Sequence, residues 1–392
     1  MAGAAAGQTA SPSHVTPRPL PSVLARMKDS VGATLVVRVL SDGRAIVNDV
    51  SARRLFLVDT TLSQVTVVAD SAGGAGSYGS RAGGLIPYVG DSTLFVDATS
   101  SSFVVIDPSG KVARVMSAPR MQDVNFLTQA TGGYPGVDPA GRLVYRGIAR
   151  NTGPFNIGAG GRFVPPSPPD SAPILRVDLA THKLDTATWI KIPKQRMNVV
   201  NLPTGGITVS TILDPLPITD DWALMPDGSI AVVKGRDYHV EYVNADRTRT
   251  VAPKILFEWQ RLSDEDKTAV VDSAQKVAEA ARAAATKPNA TSASGPFVPP
   301  IVALSPSELP DYRPPFRSGG VRADKDGNLW IQTTAPKPPN GGLLVDVIDR
   351  KGELVDRIEL PVGRRLVGVG SGLVYLAAQD STGTHLERAR VR

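Results

Sequence analysis

A turn followed by a short apolar strand recurs six times in this chain. The strands are Arg44-Ala-Ile-Val, Thr93-Leu-Phe-Val, Arg142-Leu-Val-Tyr, Ser229-Ile-Ala-Val, Asn328-Leu-Trp-Ile and Gly372-Leu-Val-Tyr. The fullest version of the device is Met225-Pro-Asp-Gly-Ser-Ile-Ala-Val-Val-Lys, a turn at Pro226-Asp-Gly228 feeding a strand from Ser229. The spacings between units are 49, 49, 87, 99 and 44 residues. Three fall in a narrow band, and the two long ones each contain a visible insertion. A period of about 40–50 residues with several strands per period is what a blade of a β-propeller requires.

Each unit has the same internal order. An apolar strand such as Leu35-Val-Val-Arg-Val39 leads into a glycine turn such as Ser41-Asp-Gly43, and a second strand follows. The third strand ends in an acid, at Asp59, Asp107, Asp178 and Asp349, and a fourth begins near Gln64, Lys111, Lys183 and Glu353. Asp-Gly, Ser-Gly and Lys-Gly pairs between alternating strands are hairpin chemistry, because glycine accepts the positive φ that such turns need. The repeated acid has two readings. Four equivalent placements argue for a carboxylate that accepts backbone N–H groups in the next turn, rather than for four copies of a catalytic site.

The expected architecture is therefore all-β, a six-bladed propeller with four-stranded blades over residues 21–392. Residues 1–20 are expected to be a disordered tail or signal-peptide remnant, since Met1-Ala-Gly-Ala-Ala-Ala-Gly-Gln-Thr-Ala10 resembles a cleavage end without its basic and apolar regions. The last unit stops after its third strand. Residues around Ser22-Val-Leu-Ala-Arg-Met27 are expected to supply its outer strand and close the ring. Insertions are placed at 147–173, rich in glycine and proline, and at 261–316. The second holds one helix over about 263–285, with Ser263 as N-cap and acids in the first turn. That helix is read as a packed cap, with a lid over the central channel as the alternative.

Composition excludes several functions. The chain has 37 glycines, 33 prolines and no cysteine, which removes disulfides, thiolate metal sites and cysteine nucleophiles. Its net charge of +6 is spread along the chain without the aromatic clustering that nucleic-acid binding wants, so no nucleic acid is expected as partner. No stretch reaches the roughly 18 apolar residues of a membrane span. The protein is expected to be a periplasmic or extracellular monomer, with the cytoplasm left open.

Motifs for chemistry are sparse. Gly74-Ala-Gly-Ser-Tyr-Gly79 matches a dinucleotide fingerprint in letters but precedes a strand rather than a helix, so it reads as a loop. Asp324-Lys-Asp-Gly-Asn328 resembles part of a calcium loop without the later glutamate, and it coincides with the repeated turn. Tyr238-His-Val-Glu241 places His239 and Glu241 on one face of a strand, a pairing that serves a general base or a metal ligand as well as a polar blade face. Asp220-Asp-Trp222 opens the same unit, and its paired carboxylates suit a cation, a sugar or a capping turn. The candidate catalytic residues are Asp221, His239 and Glu241. The candidate metal ligands are Asp220 and Asp221. No cofactor is assigned, a divalent cation such as calcium being the one considered.

Three stretches carry a resemblance. They are Tyr78 with Gly90-Asp-Ser-Thr-Leu-Phe-Val, Asp221-Trp-Ala-Leu-Met-Pro-Asp-Gly with Asp237-Tyr-His-Val-Glu, and Leu309-Pro-Asp-Tyr-Arg-Pro-Pro-Phe316 leading to Asp326-Gly-Asn-Leu-Trp330. From about residue 31 to 392 the chain resembles bacterial six-bladed β-propeller proteins, relatives of the NHL-repeat and TolB-like propellers. The resemblance implies a fold and an exported location rather than a reaction. The functional expectation is a binding or scaffold module for a protein, peptide or glycan partner. Its alternative is a metal-dependent hydrolase of the lactonase type, with its site at the central channel.

Overall fold

A computed structural model describes residues 15–71, 77–79, 82–128, 132–149, 156–157, 163–164, 167–201, 207–285, 300–335 and 341–391. Six sheets of four or five strands dominate it, each built on an antiparallel meander; the third meander is interrupted by the hairpin in 147–173, and the last two sheets each add a strand from the N-terminus. The first sheet runs Leu35–Val39, Ala45–Asp49, Arg54–Val58 and Val65–Ala69. The second begins at Gly84–Pro87, the third at Gly136–Val137 and the fourth at Asp221–Leu224. The fifth begins at Phe316–Ala323 and the sixth at Arg364–Gly370. Two segments near the N-terminus join the last two sheets. Val23–Arg26 pairs antiparallel with Gly383–Arg390 as the outer strand of the sixth, and Arg18–Pro19 pairs parallel with Leu354–Leu360 on the outside of the fifth.

Side chains explain this arrangement. The inner strands of each sheet are buried on both faces, as in Ala45-Ile-Val-Asn-Asp49, where every residue is buried. Such a sheet has to be covered on two sides, and its neighbours do so. One buried cluster joins Val47, Phe56 and Val58 of the first sheet to Tyr375, Ala377 and Leu386 of the sixth. Others join the first sheet to the second through Ile46, Leu57 and Phe95, and the fourth to the fifth through Val233, Val240 and Ile331. Each fully buried Val, Leu, Ile or Phe contributes roughly 1.5–3 kcal/mol. The opening strands of the six sheets neighbour one another in chain order, and the opening strand of the sixth returns to that of the first. The second and fifth sheets thus stand three places apart. The result is a propeller-like all-β fold.

The acids that end the third strands serve the turns. Asp59 accepts the N–H groups of Ser63 and Gln64, Asp107 those of Ser109 and Lys111, Asp178 those of Ala180 and Thr181, and Asp349 those of Lys351 and Glu353. Hydrogen bonding to the ionised form holds Asp107 below the ordinary carboxylate range, Ser109 and Lys111 being the main donors.

Helix α1 spans Asp264–Ala285. Ser263 caps it: its hydroxyl accepts the N–H of Asp266, and the Asp266 carboxylate accepts the N–H of Ser263 in return. Val270 and Val271 of α1 rest on a small buried cluster of Leu216, Leu262, Leu304 and Leu309, while Val277 faces outward at 68% exposure. Beside it lies a three-stranded sheet of Arg196–Asn201, Ile207–Leu213 and Ile301–Ala303, the last two parallel. This accessory layer is absent from the repeat pattern, because its third strand arrives some 90 residues after the second. The segment 147–173 contributes a small hairpin, Asn156–Ile157 with Phe163–Val164. The fingerprint-like Gly74 lies outside the described residues, whereas Tyr78 is buried and its hydroxyl donates to Asn48.

Candidate functional site

The opening strands of all six sheets end around one cavity of about 570 Å³. Its wall comprises Val36–Val39, Leu85 with Pro87–Val89, Tyr134–Pro139, Ala223–Pro226, Arg322–Lys325 and Val369. Most of these residues are apolar, as expected of strand ends packed against one another. The acids on the wall are engaged by their own turns. Asp138 accepts the N–H groups of Ala140 and Arg142 and pairs with the Arg142 guanidinium. Asp324 takes the backbone and side-chain amides of Asn328 and the indole N–H of Trp330.

The cations are placed differently. Arg322 of the fifth sheet reaches between two others. Its guanidinium donates to the Val367 carbonyl of the sixth sheet at 2.8 Å and to the hydroxyl of Tyr134, just ahead of the third, and it stacks 4.0 Å from the centre of the Tyr134 ring. Among the described residues its ion pairs include no carboxylate. Arg365, at the start of the sixth sheet, is pushed below the ordinary guanidinium range by desolvation and by the charge of Arg322. Arg38 and Lys325 share a single acid, Asp91, at 2.8 and 3.3 Å. Burial alone would raise the Asp91 carboxyl, but the N–H and hydroxyl of Ser41 and the Arg38 guanidinium hold it well below the usual range.

The residues singled out from the sequence lie elsewhere in the fourth sheet. Asp220 is buried, accepts the N–H of Lys191 and pairs with Lys234 at 2.6 Å. Asp221 is 1% exposed, and its oxygens accept the N–H groups of Trp222, Gly319 and Val321. It therefore ties the fourth sheet to the start of the fifth. His239 and Glu241 do come together: the ring contacts Asp237 at 2.9 Å and Glu241 at 3.6 Å, and Glu241 also meets Arg249. They sit on the third strand, two strands and about 10 Å from Asp221. Next to Asp221, Trp222 is fully buried and donates to the Gly132 carbonyl. Gly133 packs against that indole with φ +83°, and a Cβ there would stand 2.3 Å from the ring nitrogen, so only glycine fits.

Burial pushes the Asp221 carboxyl up to about 7, against the backbone N–H groups of Trp222, Val321, Gly319 and Gly320, which favour its charged form. The sign of the effect on stability follows. Below pH 4 the carboxyl is protonated whether folded or unfolded and carries no penalty. As pH rises from about 4 to about 7 the unfolded chain ionises first, and the folded state loses stability relative to it, by roughly 4 kcal/mol at the upper end. Asp221→Asn lacks this titration. The melting temperature of the variant, measured against the native chain, should therefore rise between pH 4 and pH 8. A constant difference across that range would refute the buried neutral acid.

The cationic residues carry a signal in the repeat rather than in any motif. Arg38 and Arg322 stand five residues ahead of the turn glycines Gly43 and Gly327, inside otherwise apolar opening strands. The same position holds Gly136 and Ala223 in the third and fourth units. A charge at a site that is apolar in its siblings marks a departure from the structural template.

A cation such as calcium finds no ligand set here. Among the described residues no group of three or more His, Asp or Glu side chains could hold a metal ion. The acids nearest the cavity already accept hydrogen bonds from their own turns. No helix of the described residues is long and apolar enough to cross a membrane.

No family model matches the chain, and no curated protein matches it. Solved structures do. A gluconolactonase from Xanthomonas campestris is similar over 97% of this chain and 99% of its own, at 10% identity and a TM-score of 0.41. Regucalcin, a calcium-binding protein from Agrobacterium tumefaciens, matches over 94% and 96% at 12% identity and 0.40. Virginiamycin B lyase from Staphylococcus aureus, with quinupristin, matches over 94% and 98% at 10% identity and 0.41. The lactonase and the lyase are enzymes by name. The expectation of a binding or scaffold module for a protein, peptide or glycan is corrected on this finding. At these identities the reacting residues have to be argued from the site itself.

Proposed function

We propose that this chain is a hydrolase of the lactonase type, a six-bladed propeller closed by Val23–Arg26, working in the cavity where the six opening strands end. The observation that carries the reading is Arg322 held against Tyr134 in a mostly apolar wall. Hydrolysis of an ester or lactone places negative charge on the carbonyl oxygen as water adds. A fixed guanidinium in a site of low dielectric stabilises that charge without reorganising. The Tyr134 hydroxyl accepts from Arg322, which leaves its own proton free to donate to the same oxygen or to the departing one. No step is routed through a metal, because the residues at the cavity supply no ligand set.

The test is turnover of a panel of lactones and small esters by the purified chain and two variants. Arg322→Gln should lower kcat by about 100-fold, the cost of one oxyanion donor, with KM changed less. Tyr134→Phe should cost about 10-fold. Absence of turnover across the panel, or an Arg322→Gln variant as fast as the native chain, would remove the proposal.

A further inference from the structure

The mouth of the cavity is bridged by its own acid. Asp91 follows Gly90 in a turn where both residues have positive φ, 62° and 60°. For an aspartate this is a sparsely populated conformation, held by its surroundings. The surroundings are Ser41, which donates its N–H at 2.8 Å and its hydroxyl at 2.7 Å, together with Arg38 and Lys325. Ser41 and Arg38 belong to the adjacent first sheet. Lys325 belongs to the fifth, three places away, so the Asp91–Lys325 contact spans the opening. The turn itself has room to move: a Cβ on Gly90 would meet nothing within 4 Å, and Val89 beside it is 57% exposed.

Charge around the cavity is unbalanced. Among the described residues Arg38, Arg322 and Lys325 face one acid that does not serve its own turn, Asp91, since Asp138 and Asp324 serve theirs. The remaining wall is apolar, with Val37, Leu85, Tyr88, Leu224, Met225 and Val369. A neutral polar ligand would leave Arg322 without a counter-charge in an environment where that is costly. An anion with a hydrocarbon body would satisfy both the cations and the wall.

We infer that the cavity recognises a small ligand with an apolar body and one carboxylate-type group, which Arg322 and Lys325 receive, and that Asp91 is an internal competitor for Lys325. This rests on the reading of the cavity as the working site and names the class of its product, the carboxylate that hydrolysis of a lactone or ester with an apolar body releases. Entry of the ligand exchanges one carboxylate for another at Lys325. The Asp91 turn swings outward while Ser41 and Arg38 continue to hold it.

The test is isothermal titration of the full chain with sodium octanoate, neutral octanamide and inorganic phosphate. Octanoate should bind saturably and about 10-fold more tightly than octanamide. Lys325→Gln, at a half-exposed position that leaves the Asp91–Arg38 pair intact, should weaken octanoate about 5-fold. Asp91→Asn should tighten it by a similar factor, and neither variant should alter octanamide. The inference is overturned by non-saturable octanoate binding, by equal affinity for octanamide, or by variants that leave octanoate unchanged. Phosphate binding as tightly as octanoate would also overturn it, since the apolar body would then be idle. Octanoate bound as expected in a chain that hydrolyses no lactone would instead remove the hydrolase reading and leave this one standing.

Discussion

A chain that begins at residue 32 should melt at least about 15 °C below the full chain, or fail to fold. Three groups of contacts leave with the first 31 residues. Met27, 2% exposed in the cluster between the sixth and first sheets, takes about 2–5 kcal/mol of packing with it. Backbone bonds from Met27 to Leu386, Val31 to Thr384 and Leu20 to Glu359 contribute about 1 kcal/mol each. Arg26 leaves Asp380 and Glu387, and Arg18 leaves Asp356. The loss approaches the whole stability of an ordinary domain, about 5–15 kcal/mol. It also exposes Gly383–Arg390 as a bare edge. Circular dichroism melts of the two chains decide the matter, and a difference under about 3 °C would show that these strands are ornamental.

The second large effect is expected inside the fifth sheet. Asp346 is fully buried and takes two bonds from Arg357, at 2.7 and 3.1 Å, and one from the Tyr238 hydroxyl at 3.0 Å. Tyr238 belongs to the fourth sheet, is itself fully buried and has φ +44°, so this triad joins two sheets through a strained residue. Asp346→Ala strands a fully buried phenol and a guanidinium whose side chain is only 12% exposed. Removing one partner of a buried pair costs about 3–5 kcal/mol. Tyr238→Phe keeps the ion pair and should cost only about 1–2 kcal/mol. Urea unfolding of both variants and of the double variant separates the terms. If Asp346→Ala costs no more than Tyr238→Phe, the charge on Arg357 is finding water, and the triad has been misread.

Sequence and structure agree where local chemistry decides the outcome. The turn acids were legible because Asp59, Asp107, Asp178 and Asp349 stand at one register of the repeat. Helix α1 was legible because Ser263 and Asp266 form a capping pair ahead of a run of strong helix formers. The strand at Val23–Arg26 was inferred from a deficit, a last unit short of one strand. What escaped depends on partners remote in sequence. Ile301–Ala303 pairs with Ile207–Leu213 across the whole fourth sheet, and nothing local announces it. The two-residue strand Arg18–Pro19 is too short to have a pattern. The cavity cations are hard to read in the sequence, because Arg38 and Arg322 are single charges in separate strands with no motif around them. His239 and Glu241 meet as their alternation implied, but alternation carries no information about distance from the cavity.

The accessory layer has a bearing on how the molecule comes apart. Its parallel pair fastens residue 211 to 301 and residue 213 to 303. Everything between, the complete fourth sheet and α1, is a loop of chain buttoned at its base. Gln275 of α1 adds a second button, donating to the Ile301 carbonyl and accepting the Ala303 N–H. The fourth sheet and α1 are thus enclosed in one loop, and the clasp at its base limits the entropy this segment would gain on opening, which steadies from a distance the side of the cavity formed by Ala223–Pro226.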